Sequence, residues 1–88
     1  MPSRPRNIIG PQLRRIRYGR GLSQPDFAAA CQQIGWDISR DIVARVECQT
    51  RWVADFELLL IARVLEIPME QLLPTPKETT RELKRFLP

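Results

Sequence analysis

Two stretches of this sequence decide its fold. They are Gly21-Leu22-Ser23-Gln24-Pro25-Asp26-Phe27-Ala28 and Ile38-Ser39-Arg40-Asp41-Ile42-Val43-Ala44-Arg45-Val46-Glu47. Each contains a serine, Ser23 or Ser39, whose hydroxyl can accept a hydrogen bond from a first-turn amide of a helix. Apolar residues then recur three or four positions apart, which is the spacing of a helix with one buried face. The two stretches therefore predict two short helices joined by a turn, the helix-turn-helix arrangement.

The second predicted helix, about residues 39–48, carries its charged side chains outward. Val43 and Val46 are expected to face the core, which leaves Arg40 and Arg45 on the solvent side, about one turn apart. A helix in this position can enter the major groove of DNA. Because an arginine can donate two hydrogen bonds to one guanine, this pair is the candidate for reading a base sequence.

Basic residues are concentrated in the first part of the chain. Residues 1–53 have nine arginines and four acidic residues, a net charge of +5, whereas residues 54–88 have five basic and six acidic residues, a net charge of −1. A positive face indicates a polyanionic partner, and a solvated basic surface is the alternative. The 88 residues, 43% of them hydrophobic, suffice for one small domain with a modest core.

The remaining pattern predicts an all-α chain. A first helix is predicted over residues 11–20, and the second is expected to continue from its serine cap to Gly35. Apolar residues of 56–65 cover almost the whole circumference of a fourth helix, which is typical of a central packing element. A short fifth helix is predicted between Pro68 and Pro74.

Several large apolar side chains are assigned to the core. Phe27 and Ile34 are expected inside it, and Tyr18 is placed on the apolar side of the first helix. Trp36 and Trp52 are expected to lie over the core from their loops. For Trp52, stacking near the sugar-phosphate backbone of DNA or at a subunit contact is the alternative.

The sequence divides into three parts. Residues 1–9 form a basic arm interrupted by prolines, which we expect to be flexible; insertion into a minor groove is its functional alternative. Residues 10–74 form the helix-turn-helix domain. Residues 75–88 form a tail that begins with a capping box and can continue as an extra helix through about Phe86. Three apolar residues of the tail either fold back on the domain or meet a second subunit: Leu83, Phe86 and Leu87.

The sequence lacks the residues that several classes of function require. Cys31 and Cys48 are too few and too far apart for a zinc site, and there is no histidine, so we expect no metal and no cofactor. Cys31 is expected to be a small buried side chain. The sequence has no nucleophile with a base at catalytic spacing, no glycine-rich phosphate loop and no catalytic carboxylate pair, so we expect no enzymatic activity. No small-molecule ligand is evident.

The expected location is the cytoplasm. No apolar run reaches the length needed to span a bilayer, so no membrane partner is expected. No signal peptide is recognised, which favours reduced thiols.

In the order and spacing of its segments, the chain resembles the phage-repressor and Cro type (XRE-like) of helix-turn-helix protein. The resemblance covers about residues 9–74 and rests on Leu13-Arg14-Arg15-Ile16-Arg17, Gly21-Leu22-Ser23-Gln24, Phe27-Ala28, Ile38-Ser39-Arg40, Val43-Ala44-Arg45-Val46-Glu47 and Ala62-Arg63-Val64-Leu65 through Leu72-Leu73. It implies a five-helix fold that binds double-stranded DNA as a homodimer on a palindromic site, with half-sites about one helical turn, ~34 Å, apart. It further implies transcription regulation by occupancy of the site, as in a repressor.

The resemblance also implies roles for individual residues. Contacts to base edges would come from the third helix, through Arg40, Asp41 and Arg45. Contacts to the DNA backbone would come from Gln24, Ser39, Thr50 and Arg51. A structural ion pair between Arg17 and Glu47 would hold the third helix against the first. Asp41 could instead cap its helix or restrain Arg45 four residues on.

Three features depart from the family pattern. The connection between Ala28 and Ser39 is about five residues longer than usual, which predicts a longer second helix followed by a loop at Trp36-Asp37-Ile38, an arrangement that can shift the angle of the third helix. Cys48-Gln49 replaces the glycine that commonly follows the third helix, and Glu66 stands where the fourth helix commonly ends in glycine. Asp41, the lengthened connection and the apolar tail motivate an alternative function, a protein-interaction module with weak or lost DNA readout.

Overall fold

The computed structural model describes residues 4–87, and within these residues the chain is all-α, as predicted. The helices are α1 (Gly10–Gly19), α2 (Gln24–Gln33), α3 (Arg40–Glu47), α4 (Asp55–Leu65) and α5 (Pro76–Lys84). Where a short fifth helix was expected, a 3₁₀ turn (Met69–Leu72) connects α4 to α5, since the flanking prolines leave room for a single turn. The predicted tail helix is α5, which ends two residues before Phe86.

One apolar core joins the first four helices. The third helix packs against α1 and α2, and α4 packs against α2 and the 3₁₀ turn. The buried apolar residues are Ile9, Leu13, Phe27, Ala28, Cys31, Ile38, Val43, Val46, Ile61, Ala62, Leu65 and Leu72. Burial raises the pKa of the Cys31 thiol to about 12, as befits a packed apolar side chain. Cys48 is exposed, and both thiols are free.

The core begins earlier in the chain than the expected boundary between residues 9 and 10. The side chains of Asn7 and Ile9 are buried. The Asn7 Oδ1 accepts hydrogen bonds from the amides of Ile9 (3.1 Å) and Gly10 (2.8 Å), and its Nδ2 donates to the carbonyl oxygens of Val46 (3.0 Å) and Arg51 (2.9 Å). This segment therefore fastens the start of α1 to the end of α3. Residues 1–3 of the expected arm lie outside the described residues.

Gly10 permits the closest approach of α1 to α3. A Cβ atom at this position would collide with the carbonyl oxygen of Val46 and lie 2.8 Å from that of Glu47. Because backbone atoms cannot move aside as a flexible side chain can, any larger residue would push the two helices apart.

The turn between α2 and α3 is long, as the sequence predicted, but α2 ends two residues before Gly35. Gly35 has φ +93° and reverses the chain, and the Gln32 side chain donates a hydrogen bond to the carbonyl oxygen of Ile38 (2.8 Å). Ile38 is buried and Trp36 packs on the core. Ile34 was expected in the core and is instead exposed, because it follows the last turn of α2.

The fourth helix is buried on one side only. Ile61, Ala62 and Leu65 face the core, but Phe56 and Leu59 are 60% and 59% exposed. Trp52, just before this helix, is 69% exposed rather than laid over the core. The expectation of a helix buried around its circumference is wrong because neighbouring elements cover only one of its two apolar faces.

Candidate nucleic-acid interface

The third helix presents its charged side chains outward, as the sequence predicted. The Ser39 hydroxyl caps this helix by accepting a hydrogen bond from the amide of Ile42 (3.3 Å). Val43 and Val46 are buried, so the helix is oriented with Arg40, Asp41 and Arg45 exposed.

Asp41 lies beside Arg40 rather than restraining Arg45. Its Oδ1 lies 3.4 Å from Nη1 of Arg40, and the two side chains are 60% (Arg40) and 75% (Asp41) exposed. An ion pair this exposed contributes little to stability, so Arg40 can exchange the carboxylate for another anion at small cost.

A buried ion pair fixes the inner side of α3. Arg17 donates from Nε to Oε2 of Glu47 (2.6 Å) and from Nη2 to Oε1 (2.9 Å), and both side chains are buried. Its Nη1 donates to the carbonyl oxygen of Leu22 (2.7 Å). The hydrogen bond to Glu47 raises the pKa of Arg17. This pair therefore connects α1, the turn after it and α3.

The side chain of Gln24 also reaches Glu47. Its Nε2 donates to Oε1 at 3.1 Å. Ser23 and Asp26 form a reciprocal capping box at the start of α2, and the hydrogen bond from the Ser23 amide lowers the pKa of Asp26. Pro25 has no amide hydrogen, so the Gln24 amide is the donor that the cap leaves free to meet an anion. Gln24, a predicted contact to the DNA backbone, thus lies at the start of α2, and its side chain is already hydrogen-bonded to Glu47.

A groove of about 670 Å³ lies between the end of α1, the start of α2 and α3. It brings together Gln24 and Arg40, which the sequence marked for DNA contact, with Arg14 and Tyr18, which it did not. The remaining predicted contacts do not line it: Ser39, Asp41, Arg45, Thr50 and Arg51. The groove thus adds basic side chains of α1 to the exposed charges of α3.

Tyr18 lies on the exposed side of α1, contrary to its assignment to the apolar side. It is 63% exposed, and the guanidinium carbons of Arg14 and Arg17 lie 5.6 and 4.7 Å from its ring centre. The adjacent guanidinium groups, that of Arg14 first and then that of Arg17, lower the pKa of Tyr18. The spacing of Arg14 and Tyr18, one helical turn apart, was the available sequence signal for this cluster.

The loop after α3 is held by contacts within the protein. The Thr50 hydroxyl donates to the carbonyl oxygen of Arg45 (3.2 Å) and so satisfies the end of α3. Arg51 forms a two-pronged ion pair with Glu57, with Nη1 to Oε1 at 3.1 Å and Nη2 to Oε2 at 3.2 Å. Both residues stay predicted DNA-backbone contacts, but their observed hydrogen bonds are structural.

Burial alone would raise the pKa of Glu57. Hydrogen bonds from Arg51 and from the amide of Ala54, together with the charge of Arg51, outweigh burial and lower it. The pair therefore anchors the loop to the first turn of α4.

Two further observations concern residues 4–87. No group of three or more histidine, cysteine, aspartate or glutamate side chains among them is placed to hold a metal ion. No helix in this part of the chain has the length and apolar character needed to cross a membrane.

Comparison with solved structures finds the same fold in a crystal structure of the hypothetical transcription factor NHTF from Neisseria. The two proteins are 25% identical, with a TM-score of 0.69 over 92% of this chain and 90% of that one. No model of a known protein family matches the sequence, and no curated protein sequence matches it either. The chain thus shares its fold, over almost its whole length, with a protein described as a hypothetical transcription factor.

Proposed function

We propose that this protein is a sequence-specific double-stranded DNA-binding transcription regulator, acting as a repressor with α3 in the major groove. The observation that carries the proposal is the construction of α3. Its inner side is fixed by buried valines and by Glu47, whereas Arg40 and Arg45 point outward from it. The similarity to a transcription factor supports the same class of function.

The proposed mechanism divides the arginines by role. Arg45 lies on the exposed side of α3 and is assigned to a guanine edge, where two hydrogen bonds discriminate against the wrong base by roughly 1–3 kcal/mol. Arg40, which the resemblance places at a base edge, instead lines the groove beside the start of α2 together with Arg14, and we therefore assign both to phosphates. Phosphate contacts hold the protein in register without reading sequence.

The regulator is proposed to act by occupying its site, as a homodimer on a palindrome. The exposed residues of α3 provide recognition, and we assign no enzymatic activity to the chain. A bound dimer would then repress transcription by excluding other proteins from the same DNA.

The test is selection of bound duplexes from a random DNA pool, followed by a salt series on the enriched sequences. An enriched palindromic motif is expected, with affinity that falls steeply as salt rises. Arg14→Ala should weaken binding to all sequences alike and flatten the slope of log affinity against log salt by about 0.9 for the lost phosphate contact. Weak binding without any enriched motif would overturn the proposal.

The alternative, a protein-interaction module on the same fold, is favoured by the tail. Leu83 and Leu87 on and after α5 are 46% and 64% exposed, and α5 has no buried residue. If selection finds no motif, capture experiments with wild type and Leu87→Ser would test whether a protein partner binds this tail.

A further inference from the structure

The outward face of α4 carries an apolar patch that no described element covers. It consists of Trp52, Phe56 and Leu59, which are 69%, 60% and 59% exposed, and we call it the α4 patch. Isolated exposed apolar side chains are ordinary on soluble proteins, but Phe56 and Leu59 lie three residues apart on one face of α4, and Trp52 lies in the loop that leads into this helix. Contiguous apolar surfaces mark contacts with other molecules.

Charged residues flank the α4 patch in a symmetric order. Asp55 lies four residues before Leu59 and Arg63 lies four residues after it, and both are exposed. Residues spaced by four lie one above the other on a helix, so Asp55, Leu59 and Arg63 share the outward face. The acidic residue is at the start of the helix and the basic residue is near its end.

We propose that the α4 patch is a homodimer interface in which two α4 helices lie antiparallel across a twofold axis at Leu59. This arrangement specifies the subunit contact of the proposed palindrome-binding regulator and rests on that function. A twofold axis at Leu59 brings Asp55 of each protomer opposite Arg63 of the other, so the interface contains two ion pairs around an apolar centre. An isologous contact requires this self-complementarity.

The charge order favours a second copy of this chain as the occupant. Two antiparallel copies automatically place acid against base at both ends of the patch, whereas a parallel pair would place like charges together. The tail offers a poorer match. Leu83 and Leu87 lie among Arg81, Lys84 and Arg85, and the adjacent acid, Glu82, already pairs with Arg85 of its own chain (2.8 Å), so twofold pairing there would bring mainly basic residues together.

The exposed area fits a weak dimer. At their observed exposures the two aromatic side chains present roughly 100–150 Å² each, and with Leu59 the patch presents on the order of 350 Å² per copy. Two copies would bury about 700 Å² of apolar surface, which with a polar rim approaches the ~1,200 Å² lower limit of specific interfaces. The free protein should therefore dimerise in the micromolar range, and two adjacent half-sites on DNA should strengthen the contact.

The test is a charge exchange measured by sedimentation velocity from about 1 to about 100 µM. Asp55→Arg and Arg63→Asp should each weaken the wild-type dimer by at least about tenfold, because each change places like charges opposite each other twice. The double exchange should restore dimerisation, which a merely structural effect of either change would not do. Leu59→Ser should also dissociate the dimer, whereas the matched tail variant Leu83→Ser should not.

Three outcomes would overturn this assignment: a wild-type monomer at the highest concentration, a double exchange no better than the single ones, or dissociation by Leu83→Ser instead of Leu59→Ser. Binding to a duplex with a single half-site separates the two proposals. If the interface is assigned correctly, Leu59→Ser binds a duplex with one half-site as tightly as wild type does. It loses the additional affinity that wild type shows for a duplex with two half-sites. Failure of wild type to bind any half-site would contradict the DNA-binding function and leave the dimer measurement intact.

Discussion

The outward faces of α3 and α4, two short helices that follow each other in the chain, differ in their chemistry. The third helix exposes charge, and buried valines together with the Glu47 ion pair hold its inner side. The fourth helix exposes Phe56 and Leu59 and packs its inner side through apolar residues. An exposed charge is stable in water and available to a polyanion, whereas an exposed apolar face gains free energy only when a partner removes water from it. We therefore propose DNA as the partner of the first face and a second copy of the chain as the partner of the second.

The largest expected effect comes from breaking the buried ion pair between Arg17 and Glu47, which holds α3 against α1. Arg17→Met leaves the Glu47 carboxylate buried without its partner and should lower the free energy of unfolding by about 3–5 kcal/mol. Urea denaturation followed by circular dichroism measures this change. Glu47→Leu removes the carboxylate that Arg17→Met leaves unpaired. The double variant should therefore lose less free energy of unfolding than the two single variants lose in sum. Additive effects would contradict the view that this pair acts as one unit.

Acid should loosen the loop that separates the two faces. Arg51 and the Ala54 amide keep the pKa of Glu57 below its ordinary value of 4.5 in the folded protein, so their stabilisation is complete above that value. It should be lost as pH falls below 4.5 and through the lowered folded pKa. Urea midpoints measured between about pH 3 and pH 7 should show this loss in wild type and a flatter profile in Glu57→Gln. An unchanged profile in Glu57→Gln would contradict the assignment, and Glu70→Gln on the 3₁₀ turn controls for removal of a carboxylate.

The ends of the two helices offer the smallest test. Gln49 after α3 and Glu66 at the end of α4 both have left-handed backbones, with φ of 62° and 56°. Glu66→Gly should raise the free energy of unfolding by about 0.5–1 kcal/mol, because glycine adopts this conformation without a steric cost. Gln49→Gly should gain less or lose stability, since the Gln49 side chain donates to the carbonyl oxygen of Asn7 (3.0 Å) and accepts from Arg85 (3.2 Å). Equal gains measured by thermal unfolding would show that these hydrogen bonds contribute nothing.

The sequence predicted α3 better than α4 for a physical reason. A serine cap, two inward valines and outward arginines define the orientation of α3 within eight residues, so local pattern suffices. The apolar residues of α4 form two faces, and periodicity cannot tell which face a neighbouring element covers. The sequence pattern therefore does not predict that Phe56 and Leu59 are exposed.

Contacts between residues far apart in the sequence are the other feature that local pattern does not predict. Asn7 was assigned to a flexible arm because nothing near it in sequence indicates its hydrogen bonds to the backbone of Val46 and Arg51. Arg51 was assigned to DNA by its position after α3, but its partner Glu57 lies in the next helix. The Arg17–Glu47 pair, thirty residues apart in sequence, was expected because the resemblance implied it.

Parallel selection of duplexes by wild type and Arg45→Ala tests whether α3 reads a base sequence. Arg45 is exposed, so its removal should change the free energy of unfolding by no more than about 0.5 kcal/mol. Wild type should enrich a palindromic motif, and Arg45→Ala should lose base preference at one position of each half-site, by roughly 1–3 kcal/mol. Identical motifs and affinities for the two proteins would contradict the account.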